Sequence, residues 1–291
     1  MRLAVLGTGR LGQPVAERLK TSGYEVIVYN RTRAKAESLR KYGIHVAQRV
    51  DEAIRFAEGI FLLLADAAAI QSVMLTESVR KELFARTIIQ MGTIGPSESQ
   101  ALEGEIRAAG GEYVEAPVLG SVAEARAGML QILVGGSPDQ FARWVDVLRS
   151  LGPEPRHIGP VGKAAALKLA LNQMIAAEIA ALALSLGLVH RHGIDVETWM
   201  AVLRQSALYA PAYDKKLPRL LRRDYADPNF AARHLLKDVD LCLAEAKAQH
   251  LTTDALEGIR RLLGKTIAQG FGSADYSALY EVVNPERPNG A

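Results

Sequence analysis

The sequence predicts an α/β protein: a doubly wound, mostly parallel sheet followed by an all-α C-terminal domain. Three observations carry this. The chain opens on an apolar strand, Leu3–Leu6, that runs into Gly7-Thr8-Gly9-Arg10-Leu11-Gly12 and then a helical pattern from Pro14 to Lys20. Short apolar runs then alternate with amphipathic segments up to about residue 160, the pattern of parallel strands whose connecting helices cover both faces. After Gly162 strand signals stop and helical periodicity takes over. The implied domains are residues 1–161 and 162–291, the second beginning with a long interdomain helix.

The expected strands are Leu3–Leu6, Val26–Tyr29, Ile60–Leu64, Thr87–Gln90, Tyr113–Ala116 and Gln131–Val134. The expected helices of the second domain are Lys163–Arg191, Val196–Gln205, Ala232–Gln249 and Asp254–Gln269. Gly193 suits the C-terminal cap of the first, and Asp195 the N-cap of the second. The tail from Asn284 to Ala291 is rich in proline and glycine and is expected to fray.

Each glycine of the opening run has a physical task. Gly7 permits the tight turn, Gly9 lets the backbone approach a pyrophosphate, and Gly12 lets the helix pack closely on the strand. The helix N-terminus then offers N–H groups and partial positive charge to phosphates. A ligand-free strand-to-helix turn is the plainer reading of the same residues. The placement between a strand and a helix favours a Rossmann-type dinucleotide site. The second strand ends in Tyr29 and continues as Asn30-Arg31-Thr32-Arg33. An NAD site places an acid here for the ribose hydroxyls, and none is present. Donors suit an extra 2′-phosphate, which a carboxylate would repel. NADP(H) is therefore the expected cofactor, with NAD(H) the alternative; a solvated basic turn is the competing reading.

Composition narrows the classes. A formal net charge of +3 over 291 residues, with no basic block interleaved with aromatics, argues against a nucleic-acid surface. A single cysteine, Cys242, excludes an internal disulfide and fits a reducing, cytoplasmic setting; its neighbours Leu241 and Leu243 suggest a buried thiol. Met1 stands directly before the first strand, so no signal peptide is expected. The stretch Met174–Val189 is apolar, but Glu178 interrupts it and a mid-helix acid is costly in lipid. A helix buried between domains or subunits is expected rather than a membrane span, and its apolar sides suggest a subunit interface. His190 and His192, two apart, are poorly spaced for one helix face and read as a solvated helix end, so no metal site is expected.

Two segments carry residues suited to chemistry. In Glu115-Ala-Pro-Val-Leu119-Gly120-Ser121 a strand ends at a bend whose backbone N–H groups, with the Ser121 hydroxyl, suit a carboxylate; an ordinary loop is the alternative. In Gly159-Pro-Val-Gly162…Lys168…Asn172, the lysine and asparagine lie four apart on one helix face, at the start of the second domain, where a cleft is the default substrate site. A partly desolvated lysine there suits proton exchange near neutrality; a solvated surface lysine is the bland reading.

These residues together resemble the β-hydroxyacid dehydrogenases, which include 3-hydroxyisobutyrate dehydrogenase, tartronate semialdehyde reductase and the glyoxylate/succinic semialdehyde reductases. The matching motifs are residues 7–16, Ala-Pro-Val-Leu-Gly-Ser at 116–121, the Gly-x-x-Gly…Lys168…Asn172 run, and Leu236-Lys237-Asp238. The resemblance implies that Lys168 is the catalytic acid/base and that Asn172 assists with substrate. It implies that Leu119-Gly120-Ser121 binds a substrate carboxylate, and that Thr93 and Lys237 contact the cofactor. Leu64 and Ala65 would pack along the cofactor, and Asn30-Arg31-Thr32 resembles the NADP-preferring members. Leu119 departs from the family's serine, losing a hydroxyl and adding apolar bulk, and Ala164 replaces a common third glycine. The implied reaction joins a small semialdehyde or keto acid to its hydroxyacid. Two other readings stand beside it: an imine reductase, whose relatives usually lack this lysine, and a non-catalytic nucleotide-binding scaffold.

Overall fold

The computed structural model describes residues 1–285 and divides the chain into two compact units, Met1–Lys168 and the part from Leu169 onward. The first unit is built on nine strands: β1 (Arg2–Leu6), β2 (Glu25–Tyr29), β3 (His45–Val46), β4 (Gly59–Leu62), β5 (Thr87–Gln90), β6 (Glu112–Glu115), β7 (Val118–Leu119), β8 (Gln131–Gly135) and β9 (Arg156–Gly159). The order across the sheet is β3-β2-β1-β4-β5-β6-β8-β7, with β9 also on β8. The six strands from β3 to β6 in that order are parallel; β8 runs antiparallel to β6 and β7.

Alternate residues of β1 enter opposite cores. Leu3 and Val5 pack in one apolar cluster, Ala4 and Leu6 in another. A strand buried on both faces needs no polar alternation, which is why this segment reads as a continuous apolar run. The strands absent from the expectation are β3, β7 and β9. The first two are two residues long, too short for a pattern, and β9 begins Arg-His and is exposed at that end.

The register places the site. Leu6 is level with Tyr29 and with Leu62, Leu62 with Gln90, and Gln90 with Glu115. The C-terminal ends of five neighbouring strands therefore lie along one edge. Connections leave β1 in opposite directions, making the β1/β4 boundary a topological switch point, where ligands of such sheets bind.

The second unit is helical, with an isolated bridge between Ala231 and Asp275. The helix Lys163–Arg191 is continuous, as expected, and is followed by Val196–Arg204, Pro211–Arg222, Ala232–Ala248 and Asp254–Ala268. Pro211–Arg222 was not expected, because Pro218 stands inside it; its apolar stripe still buries Leu217 and Leu220. Gly193 takes φ +66°, and the Asp195 carboxylate accepts the Thr198 N–H at 2.8 Å, the two caps expected. The long helix sends Ala176, Ile179, Ala183 and Leu186 into a core with Leu235, Val239, Leu263 and Leu279. By length and composition it is apolar enough to cross a membrane; this face packs into the unit's own core instead. Cys242 is half-buried, and burial raises its thiol above the ordinary value.

The compact units divide after Lys168, inside the long helix, whose first turn is hydrogen-bonded to Glu115 of β6. One expectation shifts. Asn284, assigned to the tail, is buried, and its side-chain carbonyl accepts from the Arg191 guanidinium at 3.1 Å. Residues 286–291 of that tail lie outside the described residues.

Candidate active site

The glycine turn leaves the end of β1. Gly7 has φ +99°, and a Cβ there would strike the Leu63 carbonyl. A Cβ at Gly12 would fall on the Gly7 carbonyl oxygen, whereas one at Gly9 meets nothing within 4 Å. The first and third glycines are thus spent on packing, and the second faces open space. Asn30 braces this turn: its amide oxygen accepts the Thr8 N–H at 3.0 Å and its amide nitrogen donates to the Thr32 carbonyl at 2.8 Å. Expected as a cofactor contact, Asn30 has its side chain occupied in holding the turn to the end of β2. Thr8 is fully buried, yet its hydroxyl has no hydrogen-bond partner among the described residues. A buried hydroxyl without a partner is costly. Beside an open glycine and a helix start, it fits a phosphate-bearing cofactor. Arg10 and Gly9 are exposed, and Leu11 is half-buried.

At the end of β2, Arg31 and Thr32 are exposed. Arg33 is spent on Glu37 at 2.7 Å, whereas Arg31 has no ion pair among the described residues. Next along the edge, Leu64 lies against the glycine turn, its Cδ2 within 3.1 Å of where a Gly7 Cβ would stand, and Ala65 follows it. After β5, the Gln90 side chain folds back on Gly92, accepting its N–H and donating to its carbonyl at 3.1 Å. That shapes the turn carrying Thr93.

Lys168 is only 8% exposed. It lines a small cavity with Thr93, Gln90, Gly92, Glu115 and Pro117. The structure therefore brings together Lys168 and Thr93, both singled out in the sequence. Glu115, quoted there but given no role, ends β6 and is 1% exposed. Its Oε1 accepts the N–H groups of Gly162, Ala164 and Ala165 at 2.8, 2.8 and 3.2 Å, and its Oε2 accepts the Ser99 hydroxyl at 2.7 Å. Burial raises the Glu115 carboxyl above its ordinary value, and the Ser99 and backbone bonds oppose that rise. The signal for it was an acid closing an apolar strand, since buried acids require partners.

The turn expected to hold a carboxylate is organised differently. Leu119 pairs with Gln131 across β7 and β8, and Gly120 takes φ +123°. The Ser121 N–H and hydroxyl both go to Glu124 Oε2, at 2.8 and 2.5 Å. A carboxylate from the chain itself thus takes both Ser121 donors. Ser121-x-x-Glu124 carries the capping-box signature at the start of the helix Val122–Ala127.

In the second unit, Asn172 is 3% exposed and its amide donates to Asp238 Oδ2 at 2.7 Å. Lys237 Nζ lies 2.9 Å from Asp238 Oδ1. Asp238, also without an assigned role, joins the two expected residues of that unit. Among the described residues no His, Cys, Asp and Glu group is suited to a metal.

The sequence profile of the NAD binding domain of 6-phosphogluconate dehydrogenase matches residues 2–159, and that of the NAD-binding domain of NADP-dependent 3-hydroxyisobutyrate dehydrogenase matches residues 162–283. Glyoxylate/succinic semialdehyde reductase 1 of Arabidopsis thaliana is 28% identical over 99% of this chain and 100% of its own. The fold matches that of 3-hydroxyisobutyrate dehydrogenase from Salmonella typhimurium with a TM-score of 0.88 at 20% identity, over 97% of this chain and 99% of that one. It matches an imine reductase from Myxococcus stipitatus at 0.68 and 24% identity, over 97% and 100%. With the two profiles matching residues 2–159 and 162–283 in order along the chain, this protein belongs to the β-hydroxyacid dehydrogenase family of NAD(P)-dependent oxidoreductases.

Proposed function

We propose that this protein interconverts a small semialdehyde or keto acid and its hydroxyacid with NADP(H), using Lys168 as general acid/base. The observation that carries the reading is a lysine 8% exposed in a cavity shared with Thr93, on the strand edge that carries the glycine turn. A side chain able to exchange a proton is thereby held beside Thr93, the expected cofactor contact. In the reducing direction Lys168 donates a proton to the carbonyl oxygen as it gains charge; in the oxidising direction it takes that proton back. The bound nicotinamide supplies or accepts the hydride. The Gly120–Ser121 turn is assigned the substrate carboxylate, which must displace Glu124, and Leu119 is assigned an apolar part of the substrate. Asn172 is assigned a supporting contact with substrate, and Lys237 and Thr93 contacts with cofactor. Arg31 and Thr32, with no acid at the end of β2, support NADP(H) over NAD(H).

Met174, Leu184 and Leu188 are each half exposed along the long helix, which supports a homo-dimer or homo-tetramer. One cysteine and no disulfide support a cytoplasmic setting.

The test is a turnover panel of glyoxylate, succinic semialdehyde and a cyclic imine with NADPH, run on the parent and on Lys168→Ala. Acid–base catalysis is worth roughly 10²- to 10⁴-fold, so the variant should lose that much carbonyl reduction while still binding NADPH. Near-normal turnover by the variant removes Lys168 from the reaction. Turnover of the imine alone gives the site to imine reduction, the reading that the second fold match keeps in view.

A further inference from the structure

The helix that carries Lys168 has no partner of its own for its first N–H groups. Three of them, from Gly162, Ala164 and Ala165, converge on one oxygen of Glu115. The other oxygen is held by the Ser99 hydroxyl, whose own oxygen lies 2.9 Å from the Tyr113 hydroxyl. The chain makes room for this arrangement. Glu115 sits opposite Gly135 in the β6–β8 pairing, and a Cβ at Gly135 would collide with the Glu115 carboxylate. Lys168 follows Ala164 by four residues, one turn on along the same side of the helix. Glu115, Ala165 and Lys168 all line the same cavity.

We propose that Glu115 is a positioning residue for Lys168: by gathering the first turn of the long helix onto one carboxylate oxygen, it sets where the Lys168 ammonium stands in the cavity. The inference rests on the acid/base role proposed for Lys168. The sheet brings the chain back beside β6 by way of β8 and β9, which ends at Gly159, but it does not hold the N–H groups of the helix's first turn. The carboxylate ties them directly, so a shift of the cap moves the helix along its axis or turns it, and the lysine moves with it. Misplacing a reacting group by about 1 Å costs on the order of 10²-fold in rate.

The experiment compares Glu115→Asp and Glu115→Gln with the parent. Aspartate keeps the charge but withdraws the acceptor by one methylene. Glutamine keeps the reach and one acceptor oxygen. Turnover is normalised to NADPH-binding sites counted by titration, so unfolded protein does not enter the comparison. For Glu115→Asp, kcat should fall on the order of 100-fold, with the NADPH Kd and the substrate KM within about twofold of the parent. Glu115→Gln should recover most of that loss. A merely structural cap would lower the number of binding sites or the melting temperature while each folded molecule kept its kcat. The inference is overturned if Glu115→Asp turns over within about twofold of the parent per binding site. Should Lys168→Ala keep its activity, the role of the lysine fails first, which is a separate and distinguishable result.

Discussion

Gly9 and Gly12 stand in the same turn, yet alanine should act on them in different ways. At Gly9 an added Cβ meets nothing within 4 Å, and the residue is not among those with positive φ. Gly9→Ala should therefore leave stability within about 0.5 kcal/mol, as for most exposed substitutions. The same methyl group intrudes where a pyrophosphate must approach the backbone. Overpacking a fitted space costs about 1–3 kcal/mol, equivalent to roughly 5- to 150-fold in Kd. Gly12→Ala differs, because its Cβ would fall on the Gly7 carbonyl oxygen and the helix must back away from β1. The 1–3 kcal/mol is then lost from folding itself, and binding suffers with it. NADPH titration followed by nucleotide fluorescence, beside denaturant unfolding curves, separates the two. A Gly9→Ala protein that folds normally and binds NADPH as the parent does would refute the placement of the pyrophosphate over this turn. A fully stable Gly12→Ala protein would refute the packing argument.

Further outcomes follow from other residues. Arg31→Ala removes a charge-assisted bond assigned to the 2′-phosphate, worth about 1.5–3 kcal/mol. NADPH affinity should fall roughly 10- to 150-fold with little change for NADH, and an equal loss for both cofactors rejects the assignment. Glu124→Ala releases both donors of Ser121, so the KM for glyoxylate should fall while that for an uncharged aldehyde stays put; a uniform change in both reduces Glu124 to a helix cap. The Lys216 ammonium lies 2.8 Å from both oxygens of the fully buried Asp275 and 4.1 Å from the Tyr276 ring centre. Lys216→Ala strands that carboxylate and should cost about 3–5 kcal/mol in urea unfolding; a loss below about 1 kcal/mol means the pair is not what holds this corner.

What the sequence determined by itself is local and periodic. Six of the nine strands, the glycine turn, the missing acid after Tyr29 and the caps at Gly193 and Asp195 were legible, because each depends on backbone geometry or on neighbours a few residues away. The buried lysine was legible only through its Ala and Leu surroundings and the family motif. Tertiary structure alone decided which side chains share partners. Glu115 reaches across nearly fifty residues to the helix start at Gly162, Asn172 reaches Asp238, and Lys216 reaches Asp275. No pattern in the chain records such meetings, since a buried polar group accepts whichever complementary group the fold delivers within hydrogen-bonding distance. The same reason explains Ser121: its residue type suited a carboxylate, and the fold supplied one from Glu124.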